Sequence, residues 1–219
     1  MTTLGGHATP RERERAAALE AKLQAQSASL DEQLELALLY LEPGHDGFRA
    51  AELLERILKT EPEHDLARLW LAHCWIYEWM DENALRNAVT LCDALTDASK
   101  PAPVRSAALL LKATALRQLG GDGEVIELLS LSVELAPEWI GNRQLLAHIY
   151  QERGERRAAR EQLQQALEVS LSAPASRTYA EQLFEMLIIG RFGDRTTARL
   201  QNQLRELAQE SSEHGPHRE

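Results

Sequence analysis

The chain has 219 residues, with 34 Asp and Glu against 24 Lys and Arg and a formal net charge of -10. That balance argues against a nucleic-acid partner, whose phosphates need clustered cations, and no run of about 18 apolar residues is present to cross a bilayer. Two cysteines cannot build a disulfide scaffold. Cys74 and Cys92, each inside an apolar helical pattern, read as buried reduced thiols. With no apolar leader at the N-terminus, a cytoplasmic protein is expected.

Taken in order, residues 1–8 are small and polar, and Thr9-Pro10-Arg11-Glu12 then reads as a capping box with Pro at the first helical position. The helix predicted there runs to about residue 26 with Leu19 and Leu23 on one side. Its RERER run alternates in sign, which marks a solvated face rather than a basic arm. Segment 1–29 is thus read as an N-terminal segment with a capping helix. Ser29-Leu30-Asp31-Glu32 is a second capping box, opening a helix with Leu34, Ala37, Leu38 and Leu41 together. Residues 43–47 end it, and 48–59 return through Ala51, Leu54 and Leu58. The next pair is 65–80, with Leu71, Ala72 and Trp75, and the helix capped by Asp81, with Ala84, Ala88, Leu91 and Leu95.

A Pro-containing connection at 96–103 precedes a helix over 104–119 with Leu109, Ala113 and Leu116. Gly120-Gly121-Asp122 supplies turn and N-cap, and 124–135 returns through Val125, Leu128 and Leu129. In 137–169, Leu146, Ala147 and Tyr150 on one helix face Ala159, Leu163, Ala166 and Leu167 on the next. Gly154 between them provides the left-handed exit that a Cβ-bearing residue adopts only at a cost. After a second Pro-containing connection at 171–176, helices over 177–189 and 194–210 form a last pair around Leu183, Leu187, Ala198 and Leu204. Residues 210–219 read as a disordered polar tail.

Two ladders of small residues tie these pairs together. First helices place Ala37, Ala72, Ala113, Ala147 and Met186 at separations of 35, 41, 34 and 39; second helices place Ala51, Ala84, Val125, Ala159 and Ala198 at 33, 41, 34 and 39. Both ladders lengthen at the same two Pro-containing connections, which is the behaviour of a repeat rather than of unrelated helices. The pattern Leu146-Ala147, Tyr150, Gly154, Ala159, Leu163 and Ala166 resembles a tetratricopeptide repeat, whose period is about 34 residues. The resemblance covers residues 30–209 as five helix pairs, with Trp75 in place of the core tyrosine. Met186 and Asn202 depart from the pattern in the final unit.

What the resemblance implies is an all-α, right-handed α–α superhelix, a tetratricopeptide-like solenoid with an N-terminal capping helix. First helices of such a stack line a concave groove where ligands bind. Projected from the alanine ladder, the polar centre of that groove consists of His73, Tyr77, Thr114, Arg117, Gln144, His148 and Gln151. Apolar positions such as Leu34, Leu38, Leu69, Leu110, Ile76, Leu183 and Leu187 flank it. The Asn and Lys pattern with which some relatives hold a C-terminal carboxylate is absent. In the aromatic segment WLAHCWIYEW, Trp75 reads as core, and Trp70 and Trp79 as helix packing or exposed anchors. Trp139 reads as packing between repeats.

No catalytic constellation is found: the seven histidines make no HExxH pair and no tight cluster with cysteine. His214 and His217 lie in the tail, and no Gly-rich loop follows a strand. A non-catalytic protein- or peptide-binding scaffold or adaptor is therefore expected, without cofactor or metal. The alternatives are an acidic immunity or assembly factor bound to one dedicated basic partner, and a self-associating structural module forming a homodimer.

Overall fold

A computed structural model describes residues 9–41, 46–121, 123–172 and 194–213. All regular elements among them are helices: α1 (Pro10–Gln24), α2 (Leu30–Leu41), α3 (Gly47–Thr60), α4 (Asp65–Cys74), α5 (Glu82–Asp93), α6 (Ala102–Gln118), α7 (Val125–Leu135), α8 (Ile140–Glu152), α9 (Arg156–Ser172) and α10 (Asp194–Glu213), with a π-helical turn, Trp75–Trp79, continuing α4. The chain divides into two compact units, Met1–Val125 and Ile126–Glu219.

In the first unit, both predicted capping boxes form. Thr9 Oγ1 accepts from the Glu12 N–H at 3.3 Å while Glu12 Oε2 accepts from the Thr9 N–H at 2.6 Å. Ser29 and Glu32 exchange the same two bonds at 3.2 and 3.1 Å. These satisfy N–H groups that a helix start otherwise leaves open. Ala16 and Leu19 bury one face of α1, which packs on α2. Arg15 and Lys22 reach across to Glu35 and Glu32, exposed pairs that add little beside the apolar contact.

From there each helix packs on the next: α2 on α3, α3 on α4, α4 on α5 and α5 on α6. The first helices α4 and α6 also meet directly. Ala37, Ala72 and Ala113 of one ladder and Ala51, Ala84 and Val125 of the other are all buried. Residues this small let helix backbones approach while larger neighbours such as Leu54, Ile57 and Leu111 fill the remaining volume. At the end of α4 the Met80 N–H bonds to Trp75 O at 3.2 Å, closing the π turn, and Met80 takes the left-handed conformation at φ 56°. Asp81 then caps α5, accepting from the Ala84 N–H at 2.9 Å.

The second unit is built on α8 and α9. Gly154 sits at φ 76°, and the Gly154 and Glu155 N–H groups bond to Gln151 O at 2.9 Å and Tyr150 O at 2.8 Å. This is the glycine-ended helix exit the sequence predicts. Ile140, Ala147, Ala159, Leu163, Ala166, Leu200 and Leu207 form one core. Buried Asn142 donates from Nδ2 to Ser132 O at 3.3 Å, locking α8 to α7.

The last rung of the ladder departs from expectation. Ala198 is exposed, and α10 instead buries Leu200 and Leu207, with Leu204 packed beside them. A two-residue shift turns a helix by roughly 200°, so Ala198 lies opposite the buried Leu200, while Leu204 packs at the core as predicted. The helix also continues to Glu213, past residue 210 where the sequence reading began its tail. Met186 and the predicted helix over 177–189, with Leu183 and Leu187, lie outside the described residues, as do His214 and His217.

Candidate functional site

The first unit gathers three of the predicted residues. On α4 and its π turn, Trp70, His73 and Tyr77 recur three and four residues apart and so share a face. The His73 ring lies 5.6 Å from Trp70 at 65° and 4.6 Å from Tyr77 at 40°. The Thr114 hydroxyl on α6 donates to Leu110 O at 2.9 Å and lies within reach of the Tyr77 phenol oxygen, whose ionised form it favours. Burial pushes the Tyr77 phenol above its ordinary pKa, and the Thr114 bond offsets part of that rise. Tyr77 still keeps 38 % of its surface in solvent.

His73 is a correction to the sequence reading. It is only 6 % exposed and sandwiched between aromatic neighbours, so it positions the Tyr77 ring and presents no accessible imidazole. Leu34, Leu69, Ile76 and Leu110 are likewise core residues. First helices here are enclosed by the helices on either side, and only a narrow strip of each reaches solvent. Thr114 and Arg117, one turn apart on α6, are half-buried on that strip.

Sequence reasoning passed over an aromatic contact at the ends of two helices. Phe48, at the start of α3 and 52 % exposed, packs edge-on against Trp79 with ring centroids 4.4 Å apart. Met80 beside it is 62 % exposed. Glu78 lies over the start of α3, where a Cβ built on Gly47 would stand 2.4 Å from Glu78 Cγ. Trp79 is therefore a partly exposed packing residue, Trp70 and Trp139 are buried, and Trp75 is half-buried rather than full core. The signal was available in Phe48 and WIYEW, but helical periodicity cannot pair residues across two turns.

In the second unit, Gln144, His148 and Gln151 lie four and three residues apart on one face of α8. His148 is exposed, its Nε2 3.3 Å from Glu152 Oε1. Gln151 is half-buried. Gln144 Oε1 is enclosed without a hydrogen-bond donor. Next to it, Arg143 reaches α9, donating from Nη1 to Gln165 Oε1 at 2.6 Å and Gln162 Oε1 at 3.3 Å. Burial lowers the Arg143 pKa.

Neither surface carries a nucleophile beside a base. Cys74 and Cys92 are buried and free, and burial pushes both thiols up to about 12. Among the described residues no group of three or more His, Cys, Asp or Glu could hold a metal ion, and no helix is long and apolar enough to cross a membrane.

Neither a protein-family model nor a curated protein sequence matches the chain. Solved structures do. A double mutant of MamA from RS-1 superimposes with a TM-score of 0.58 at 19 % identity, covering 75 % of this chain and 88 % of that one. MamA from MSR-1 gives 0.54 at 22 % identity over 75 % and 90 %. MamA from Desulfovibrio magneticus RS-1, residue 41 to the end, gives 0.54 at 17 % identity over 76 % and 99 %. At such identities the likeness speaks for architecture alone, and that architecture is an all-α, tetratricopeptide-like helical repeat.

Proposed function

We propose that this chain is a non-catalytic protein- or peptide-binding module acting through the solvent-facing strips of its first helices. The observation that supports this most is the cluster on α4 and α6. A half-exposed tyrosine ring is held in place by His73 on one side and Thr114 on the other. A rigid aromatic with a polar tip loses little side-chain entropy on binding and is a favoured anchor at interfaces. Gln144, His148 and Gln151 on α8 offer donors and acceptors of the kind that grip a peptide backbone. A reducing compartment such as the cytoplasm suits two buried, unpaired thiols.

The test is a pull-down from the native host with wild-type protein and with Tyr77→Ala, Arg117→Ala and His148→Ala. These side chains reach solvent, whereas changing His73 would test packing. Loss of the same retained protein in the Tyr77 and His148 variants supports the reading. Equal recovery of every retained protein by all variants contradicts it.

The net charge of -10 favours a second reading, a dedicated basic partner. Its association rate would fall steeply with added salt; a rate insensitive to salt removes that reading.

A further inference from the structure

Arg143 differs from most of the arginines with resolved partners. Arg205, which meets the amide oxygen of Asn202, is exposed to water. Arg15, Arg49, Arg68, Arg86 and Arg157 each pair with a carboxylate, on Glu35, Glu20, Glu63, Glu82 and Glu161 respectively. In a chain with 34 acidic residues that is the ordinary outcome. The Arg143 guanidinium instead meets two neutral amide oxygens, Gln162 Oε1 and Gln165 Oε1, both at Nη1. Its Nε is enclosed without an acceptor, and none of its hydrogen bonds engages Nη2. No carboxylate among the described residues lies in ion-pair contact with it. Burial alone accounts for its lowered pKa, with no nearby charge contributing.

A partly desolvated cation left without a counter-charge is costly, because hydration is lost and nothing replaces it. The planar guanidinium keeps its proton regardless and presents a fixed edge suited to a carboxylate. The two glutamines hold that edge in place without neutralising it, although glutamates of nearly the same shape would have done so.

We propose that Arg143 receives the carboxylate of an Asp or Glu side chain within the bound polypeptide, at the open Nη2 edge held by Gln162 and Gln165. This rests on the peptide-binding reading above. It concerns one local contact, and at physiological salt charges more than about 8 Å away are largely screened, so the acidic balance of the whole chain does not forbid it.

The experiment selects random peptides displayed on phage against wild-type protein, Arg143→Gln and Gln165→Glu, with circular dichroism confirming that each variant is folded. Arg143→Gln removes the charge. Gln165→Glu keeps the arginine but supplies its counter-ion from within. Peptides enriched on wild type are expected to share an Asp or Glu at one position. Changing it to Asn or Gln should weaken binding to wild type by roughly tenfold or more, as expected for a hydrogen bond to a charged group, and leave binding to either variant unchanged. Enriched peptides without a shared acid, or with the same acid dependence on Arg143→Gln, overturn the inference while leaving the binding reading intact. No enrichment on folded wild-type protein overturns both.

Discussion

Truncating Leu163 to Ala tests whether α8, α9 and α10 share one core. Leu163 is 1 % exposed and packs with Ile140, Ala147, Ala159, Ala166, Leu200 and Leu207, residues drawn from all three helices. Removing everything beyond its Cβ forfeits about 2.4 kcal/mol of apolar transfer energy. The cavity adds about 1–2 kcal/mol more, because three of the neighbours are alanines tied to helix backbone and cannot swing in to fill it. The expected loss is about 3.4–4.4 kcal/mol. Leu171→Ala is the control: it lies on the same helix, makes the same substitution and is 69 % exposed, so its cost should stay within about 0.5 kcal/mol. Native-state hydrogen exchange in peptides from α8 and α9, followed as urea is added, reads both variants. A difference between them below about 1 kcal/mol would refute the packing argument, since helix propensity cancels in the comparison.

Gly154→Ala, at φ 76° with open space around the missing Cβ, should cost about 1–2 kcal/mol from backbone strain alone, and Gly154→Asn less; thermal melts of the three proteins check the order. Gly47→Ala should destabilise through the clash with Glu78, and Glu78→Ala should relieve it, so a double-mutant cycle showing no coupling would contradict the contact. The folded thiols of Cys74 and Cys92 titrate near 12 against an ordinary 9.0. The folded state therefore holds those protons more tightly. The stability they contribute is complete below about pH 9 and lost as pH rises through 12. Urea midpoints should fall less steeply over that range in the Cys74→Ala, Cys92→Ala double variant than in wild type; equal slopes would count against burial of the thiols.

Local signals carried most of the architecture. Capping boxes at Thr9 and Ser29, the Asp81 cap and the left-handed Gly154 are each determined by residues a few positions apart, and each forms as read. The alanine ladder held wherever a following helix encloses it. It failed at Ala198, where α10 presents Leu200 and Leu207 to α9 beside the expected Leu204. A small residue at the right spacing says nothing about which face a terminal helix turns inward, whereas the leucine stripe does.

The site was less legible for a related reason. Periodicity identifies the face on which His73 and Tyr77 sit, but not how far neighbouring helices cover it. Burial of His73 between Trp70 and Tyr77, the approach of Thr114 to the Tyr77 phenol, and the contact of Phe48 with Trp79 all depend on the closeness of helices distant in sequence. Arg143 gave no signal at all. One arginine among many acids looks paired until the amide oxygens of Gln162 and Gln165 are seen in front of it.

The account stands on the claim that first-helix strips contact the partner and the outer faces of the second helices do not. A photo-crosslinking residue placed singly at Tyr77 and His148, and at exposed Thr90 and Gln164 on α5 and α9, tests that directly. After irradiation with the retained partner, covalent adducts are expected from the Tyr77 and His148 positions and not from Thr90 or Gln164. Adducts confined to Thr90 and Gln164 would contradict it.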